Sequence, residues 1–221
     1  MSNSTDAGIF ISLEGLDGAG KSTQVASLAG ALQVTGRKVT IVRPAETELG
    51  EMTRAFLLQH SREPLDSWAE ALLFIASRVQ LINERIAPAL AAGGIVVADR
   101  FVDSTYAYQG SGRHLDVTLL RRLHQEACHG LLPDLTVLLD LELPAAESRR
   151  RAQGLPEDRI EGAPGEFHQQ VRESFLRMAR DEPARFFVVD AVRPAVEISH
   201  TILGRVKELW PALFDGASVS V

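Results

Sequence analysis

The sequence predicts an α/β fold of three layers, a five-stranded parallel sheet flanked by helices. Three observations carry that expectation. Five short, β-branched or apolar runs alternate with longer helical patterns along the 221 residues. Three of the runs are almost wholly apolar, as strands covered on both faces must be. A glycine-rich turn directly follows the first run and opens a helix, the start of a βαβ unit.

The expected strands are residues 9–14, 39–43, 95–99, 135–141 and 186–190. The expected helices are 21–35, 50–59, 67–90, 116–129, 144–151, 166–181 and 195–213. In the longest helix, Leu72, Ile75, Val79, Ile82 and Ile86 recur at helical spacing and are read as its core stripe. Phe74 and Arg78 lie one turn apart on a face rotated from that stripe. Residues 153–165 are rich in glycine, proline and charge and poor in apolar side chains, the composition of a surface flap. Nothing repeats at a fixed period and no linker divides the chain, so one domain over 1–221 is expected.

Hydrophobic residues make up 45% and charged residues 24%, a globular mix that excludes a disordered chain. The net charge of −6 argues against a generic nucleic-acid coat. The single cysteine, Cys128, excludes an internal disulfide framework and fits a reducing compartment, where it reads as a small buried hydrophobe. The first ten residues carry no signal-peptide pattern. The longest apolar run, 86–98, is broken by Pro88 and Gly93-Gly94 and is too short to span a bilayer. A cytoplasmic location and no membrane partner are therefore expected. The six histidines show no metal-ligand spacing.

The turn after the first strand reads Gly15-Leu16-Asp17-Gly18-Ala19-Gly20-Lys21-Ser22 and matches G-x-x-x-x-G-K-[ST]. Gly15 and Gly20 let the backbone curl so that its N–H groups converge on a polyphosphate, and the following helix adds its positive end. Lys21 then reaches the β- and γ-phosphates and Ser22 offers its hydroxyl to Mg²⁺. Lysine is scarce here, since Lys21, Lys38 and Lys207 stand against twenty arginines among the 23 basic residues. Asp99-Arg100 ends the third strand, beside the crevice of a doubly wound sheet. Asp99 suits the metal or its water, and Arg100 a phosphoryl oxygen in transit.

Residues 10–24, from Phe10-Ile11-Ser12-Leu13-Glu14 through the glycine turn to Ser22-Thr23-Gln24, together with Asp99-Arg100-Phe101-Val102-Asp103-Ser104-Thr105-Tyr106-Ala107-Tyr108-Gln109-Gly110, resemble the thymidylate kinase family. The likeness runs from about Gly8 to Leu213. It implies a P-loop nucleoside monophosphate kinase fold, transfer of the γ-phosphoryl of ATP to dTMP, Mg²⁺ as metal, and a homodimer. An ATP site of Gly15, Asp17, Gly18, Ala19, Gly20, Lys21, Ser22 and Thr23 follows from it, with Ser22 and Asp99 on the metal. The implied dTMP site has Phe74 stacking on thymine, Arg78 on its O4, Gln109 and Ser104 at the base edge, and Tyr108 where a ribose 2′-hydroxyl would fit. Asp17 would face the sugar 3′-hydroxyl and the metal, while Arg43 and Arg100 would hold the acceptor phosphate. The end of the fifth strand at Asp190-Ala191 resembles the segment flanking adenine.

Two departures accompany the likeness. The family's R-E-P-G-G-T is replaced by Arg43-Pro44-Ala45-Glu46-Thr47, one residue shorter and without the glycine pair. Gly18 is the neutral cradle residue of the bacterial type, which implies that positive charge comes from a lid, about 149–165. Arg149 and Arg159 are the leading candidates, with Lys21 and Arg100, for the catalytic set. A further lid arginine of relatives corresponds to Gln153, leaving Arg151 as the substitute one turn back. Three alternatives stand at this point: a kinase for another nucleoside monophosphate or a deoxynucleoside, an ATP-binding regulatory protein, and an inactive structural relative.

Overall fold

Each apolar run becomes a strand, and the helices between them are placed by where their apolar faces fall. The structure, a computed structural model, describes residues 7–58, 64–152, 154 and 158–215. In chain order the elements are β1 (Ile9–Glu14), α1 (Lys21–Leu32), β2 (Val39–Val42), α2 (Glu48–Leu58), α3 (Ser67–Leu81), α4 (Ala87–Ala91), β3 (Ile95–Asp99), α5 (Val102–Thr105), α6 (Val117–Ala127), β4 (Leu135–Asp140), α7 (Leu143–Ala152), α8 (Gly165–Asp181), β5 (Phe186–Asp190) and α9 (Ala195–Leu209). All five strands are parallel, in the order β2-β3-β1-β4-β5. α1 packs against α9 and against β2 and β3, while α8 packs on β4 and β5.

β1 lies between β3 and β4, where the winding reverses, so the loops after β1 and β3 open into the crevice at the carboxyl ends of the strands. Register makes this specific: Leu13 pairs with Asp99 and Glu14 with Leu138. The glycine turn at 15–20 and the Asp99-Arg100 corner therefore leave the sheet side by side.

The core takes in β1, β3 and β4, whose Ile11, Leu13, Val96, Val97, Val137 and Leu139 are fully buried, together with the inner faces of α1, α8 and α9. One polar chain crosses it. Ser12 Oγ and Thr136 Oγ1 are 3.0 Å apart, and Arg185 donates to Thr136 Oγ1 at 2.8 Å and to both carboxylate oxygens of Asp103 at 2.7 and 2.8 Å. Asp103 is completely buried, so this two-pronged pairing is what makes its charge tolerable there.

The expected strands stand within one residue of those observed, β2 ending at Val42 and β4 at Asp140. The expected helix 67–90 is divided. Pro88 has no N–H, and before it the ladder widens into a π turn over Ile82–Ile86, with Ala87 N–H bonding Ile82 O. Leu72 is a correction: it is exposed, and the buried face of α3 runs instead through Ala71, Ile75, Arg78 and Leu81, with Glu70 beside it. The expected helix 195–213 stops at Leu209, where Pro211 begins a 3₁₀ turn. The expected end of α2 at Gln59, and Gln153, lie outside the described residues. Not foreseen were α5 and the π turn Tyr106–Gly112 behind it, closed by the Arg113 N–H on Tyr108 O at 2.9 Å.

Candidate functional site

The turn after β1 has a cradle's backbone. Gly15 and Gly18 adopt φ of 137° and 90°, in the region that favours glycine. A Cβ at Gly15 would sit 2.5 Å from Leu139 O, and one at Gly18 would sit 2.4 Å from Ala146 O. At the head of α1, Lys21 Nζ donates to Leu16 O and to Asp17 Oδ1, both at 2.9 Å. Burial and the charge of Arg100 push its ammonium below the ordinary value, against the pull of Asp17 and Asp99. Thr23 lies exposed on the same turn.

Ser22 Oγ donates to Asp99 Oδ2 at 2.6 Å, joining α1 to the end of β3. A hydroxyl and a carboxylate are hard oxygen donors that suit Mg²⁺, which takes few protein ligands and fills its octahedron with water and phosphate oxygens. No cluster of three or more His, Cys, Asp or Glu able to form a fuller cage exists among the described residues. The donor set therefore fits Mg²⁺.

Arg100 is the hinge of the site. It has a positive φ of 75°, unusual for a side chain of its size. Its guanidinium reaches Asp17 Oδ1 at 2.5 Å, Ser104 Oγ at 3.1 Å and the Tyr108 hydroxyl at 3.2 Å, and lies over the Tyr108 ring. Glu14 secures this corner from beneath, accepting from Phe101 N at 2.7 Å and from Ser104 Oγ at 2.6 Å. Burial and the charge of Asp103 push the Glu14 carboxyl up to about 7. Desolvation would also raise Asp17, but Arg100 and Lys21 outweigh it and hold that carboxyl well below the usual range.

Beside Arg100 opens a cleft of about 770 Å³, counting its mouth. Phe74, Arg78, Ser104, Tyr108 and Gln109 line it, with Asp17 and Arg100 at one end. Arg78 is buried. Its Nη2 donates to Thr105 Oγ1 at 2.6 Å and to Phe101 O at 3.3 Å, while its buried Nη1 has no hydrogen-bond partner among the described residues. The π turn at 106–112 is what turns Tyr108 and Gln109 onto the same wall. Five candidate acceptor residues from two separate stretches of sequence thus meet in one cavity.

The remaining candidates lie elsewhere. Arg43 is exposed just past β2 and does not line the cleft, although its neighbour Pro44 does. Ser77 Oγ donates to Pro44 O at 2.9 Å, fastening this short turn to α3. Arg149 donates to Ala191 O at 2.8 Å and Val192 O at 3.3 Å, beside the end of β5. Arg151 is exposed and paired with Glu147 at 3.7 Å. Arg159 reaches away from the cradle to Glu70 Oε2 at 2.6 Å and Leu57 O at 2.8 Å.

Other lining residues escaped the sequence reading, among them Arg54, Asp158, Ile160 and Glu161. The Glu161 carboxyl is pushed up to about 8 by burial and by its hydrogen bond to Asp17, and Arg150 also bonds to it. Glu70, buried behind Gln109, was missed as well. Its one sequence signal is its place one and two turns before Phe74 and Arg78.

A five-stranded parallel sheet of this order, a glycine cradle with its lysine and serine, and an adjoining cleft walled by aromatic rings and arginines define a P-loop phosphotransferase of the nucleoside monophosphate kinase type. The family model described as thymidylate kinase matches residues 13–202. Thymidylate kinases of Clavibacter michiganensis subsp. michiganensis and Solidesulfovibrio magneticus are 47% and 46% identical to the chain, covering 93% and 91% of it and 97% and 100% of their own lengths. The crystal structure of thymidylate kinase from Ehrlichia chaffeensis is similar with a TM-score of 0.73 at 31% identity, over 90% of this chain and 99% of that one. The chain belongs to the thymidylate kinase family.

Proposed function

We propose that the protein transfers the γ-phosphoryl group of ATP to dTMP, giving ADP and dTDP. The observation that carries this reading is the bridge between cradle and cleft: Asp17 pairs with both Lys21 and Arg100, at 2.9 and 2.5 Å. A phosphate held by the lysine and one held by the arginine would then face each other in line. The acceptor is already a phosphate oxygen, so positioning and charge neutralisation do the chemistry and no strong base is needed.

Lys21 and the backbone N–H groups of residues 15–23 bind the donor phosphates. Ser22 and Asp99 would hold Mg²⁺, which when bound screens charge on the transferring group. Arg100 orients the acceptor phosphate, and Arg43, which lies outside the cleft, would have to turn in from the end of β2 to join it; Phe74 stacks on the base and the Arg78 guanidinium donates to a base carbonyl. Ser104 and Gln109 border the base and Tyr108 the sugar. Residues 149–165 act as a lid on a single domain, bringing Arg149 and Arg159 to the transferring phosphoryl. For that, Arg159 must leave Glu70 and Arg149 must leave the carbonyls of Ala191 and Val192.

A homodimer belongs to the same proposal. Leu49, Met52 and Phe56 on α2 and Leu72 on α3 are exposed, and a second copy covering these packed helices would bury them. A cytoplasmic location is also proposed. No helix among the described residues is long and apolar enough to cross a membrane.

The test is ADP release with ATP, Mg²⁺ and each nucleoside monophosphate in turn. dTMP is expected to be the preferred acceptor with dTDP as product, and Phe74→Ala to raise its KM about tenfold or more. Absence of dTDP, or a KM untouched by the Phe74 change, overturns the reading.

A further inference from the structure

Gln109 is held from behind by a buried carboxylate. Glu70, in the first turn of α3 and 1% exposed, accepts Gln109 Nε2 at 2.8 Å. It also accepts Arg159 Nη2 at 2.6 Å and Arg113 Nε at 3.4 Å. Burial would raise the Glu70 carboxyl, but the hydrogen bonds from Gln109 and Arg159 and the nearby charge of Arg113 hold it below its ordinary range. Glu70 is therefore ionised near neutral pH and can only accept.

An amide has one donating end and one accepting end. The end of Gln109 that meets a carboxylate must be its NH₂, which turns the carbonyl Oε1 the other way. Gln109 lines the cleft, and its Oε1 has no hydrogen-bond partner among the described residues. The same cleft is bordered by Arg78, whose buried donor Nη1 has no hydrogen-bond partner among the described residues. A base meeting this wall thus finds one acceptor and one donor in fixed places.

We propose that Glu70 is the specificity-positioning residue of the acceptor site, locking the Gln109 amide so that the cleft accepts a pyrimidine carrying a ring N–H next to a carbonyl and rejects one carrying a bare ring nitrogen next to an amine. The inference rests on the reading of this cleft as the dTMP site. Thymine and uracil satisfy the wall. Cytosine sets a lone pair against the Gln109 carbonyl and an amine against the Arg78 guanidinium. Without Glu70 the amide could turn over and serve either base, so Gln109 alone carries little discrimination. Groups left unpaired in a dry pocket are what make such a preference steep.

Glu70→Gln keeps the volume and lets both amides turn together. Wild type and variant are compared with dTMP and dCMP as acceptors. The ratio of kcat/KM for dTMP over dCMP is expected to fall at least tenfold, through KM, with kcat for dTMP within about threefold. A ratio within twofold of wild type, with dTMP turnover retained, overturns the inference alone. No dTDP from wild type overturns the functional reading and this inference with it. If the variant gives no cooperative melting transition, the wild type decides by NMR. Its Gln109 side-chain NH₂, assigned by its loss in Gln109→Leu, is expected to show one proton downfield of free glutamine amides, and free-amide shifts overturn the proposal.

Discussion

Ser22 and Asp99 come from elements 77 residues apart in sequence, and their side chains meet at 2.6 Å where the cradle faces the end of β3. Ser22 is exposed, and Asp99 is already fixed at the end of β3 by its pairing with Leu13, so the strand does not depend on this contact. Asp99→Asn is therefore expected to leave the melting temperature nearly unchanged. The Mg²⁺ concentration giving half-maximal rate should rise by about 10–100-fold. A Mg²⁺ titration of ADP release measures it, and an unchanged midpoint would remove Asp99 from the metal site.

Lys21→Ala removes the one ammonium in the cradle. Transfer should fall by about 10²–10³-fold or more, while dTMP binding measured by calorimetry stays close to wild type because the cleft is lined without Lys21. Turnover at near wild-type rate would contradict the donor assignment.

The contact between Glu161 and Asp17 carries a pH signature. The Glu161 carboxyl stands at about 8 against an ordinary 4.5, so the folded chain keeps a proton that an unfolded chain releases between those values. The stabilisation is complete below about pH 4.5 and is lost as pH rises through about 8. Amide exchange of residues 158–163, corrected for intrinsic rates, should accelerate between about pH 6 and pH 9 beyond that of the core. Glu161→Gln, whose amide donates at any pH, should flatten the profile. The same slope in both proteins would place the titrating group elsewhere.

Arg185 stabilises the fold rather than the site. Asp103 is wholly buried; Arg185 donates to both of its oxygens and is its only charged partner among the described residues, Thr136 Oγ1 adding a longer bond at 3.3 Å. Arg185→Leu strands that charge, and chemical denaturation should show a loss of about 3–5 kcal/mol. Asp103→Asn combined with Arg185→Leu should recover part of it, because no charge is then left unpaired.

The strands were legible because each is an apolar run bounded by polar or glycine-rich sequence, and the cradle because glycine spacing is local information. α5 and the π turn behind it were not. Tyr106-Ala-Tyr-Gln-Gly-Ser-Gly has the look of a loop, and what sets its start is Glu14, which accepts the Phe101 N–H from 87 residues away. Spacing alone puts Leu72 in the core, because it cannot say which of two adjacent helix faces turns inward; α3 packs on α2, α6 and the π turn at 106–112. Glu70 and Glu161 were silent for a similar reason: a carboxylate in a first helical turn or a charged loop is ordinary until its neighbours are known. Phe74, Arg78, Tyr108 and Gln109 came from family likeness, and their meeting in one cleft depends on a backbone widening that no local pattern announces.

The carbonyl of Ala146 occupies the space in which any side chain at position 18 would have to begin. A cation cannot be grafted into the loop there by a single substitution, since α7 would first have to retreat. A second fixed cation beside Lys21 is thereby barred from position 18, so further positive charge for the cradle has to come from another part of the chain. At rest the nest's own cation, Lys21, is already partnered by Asp17.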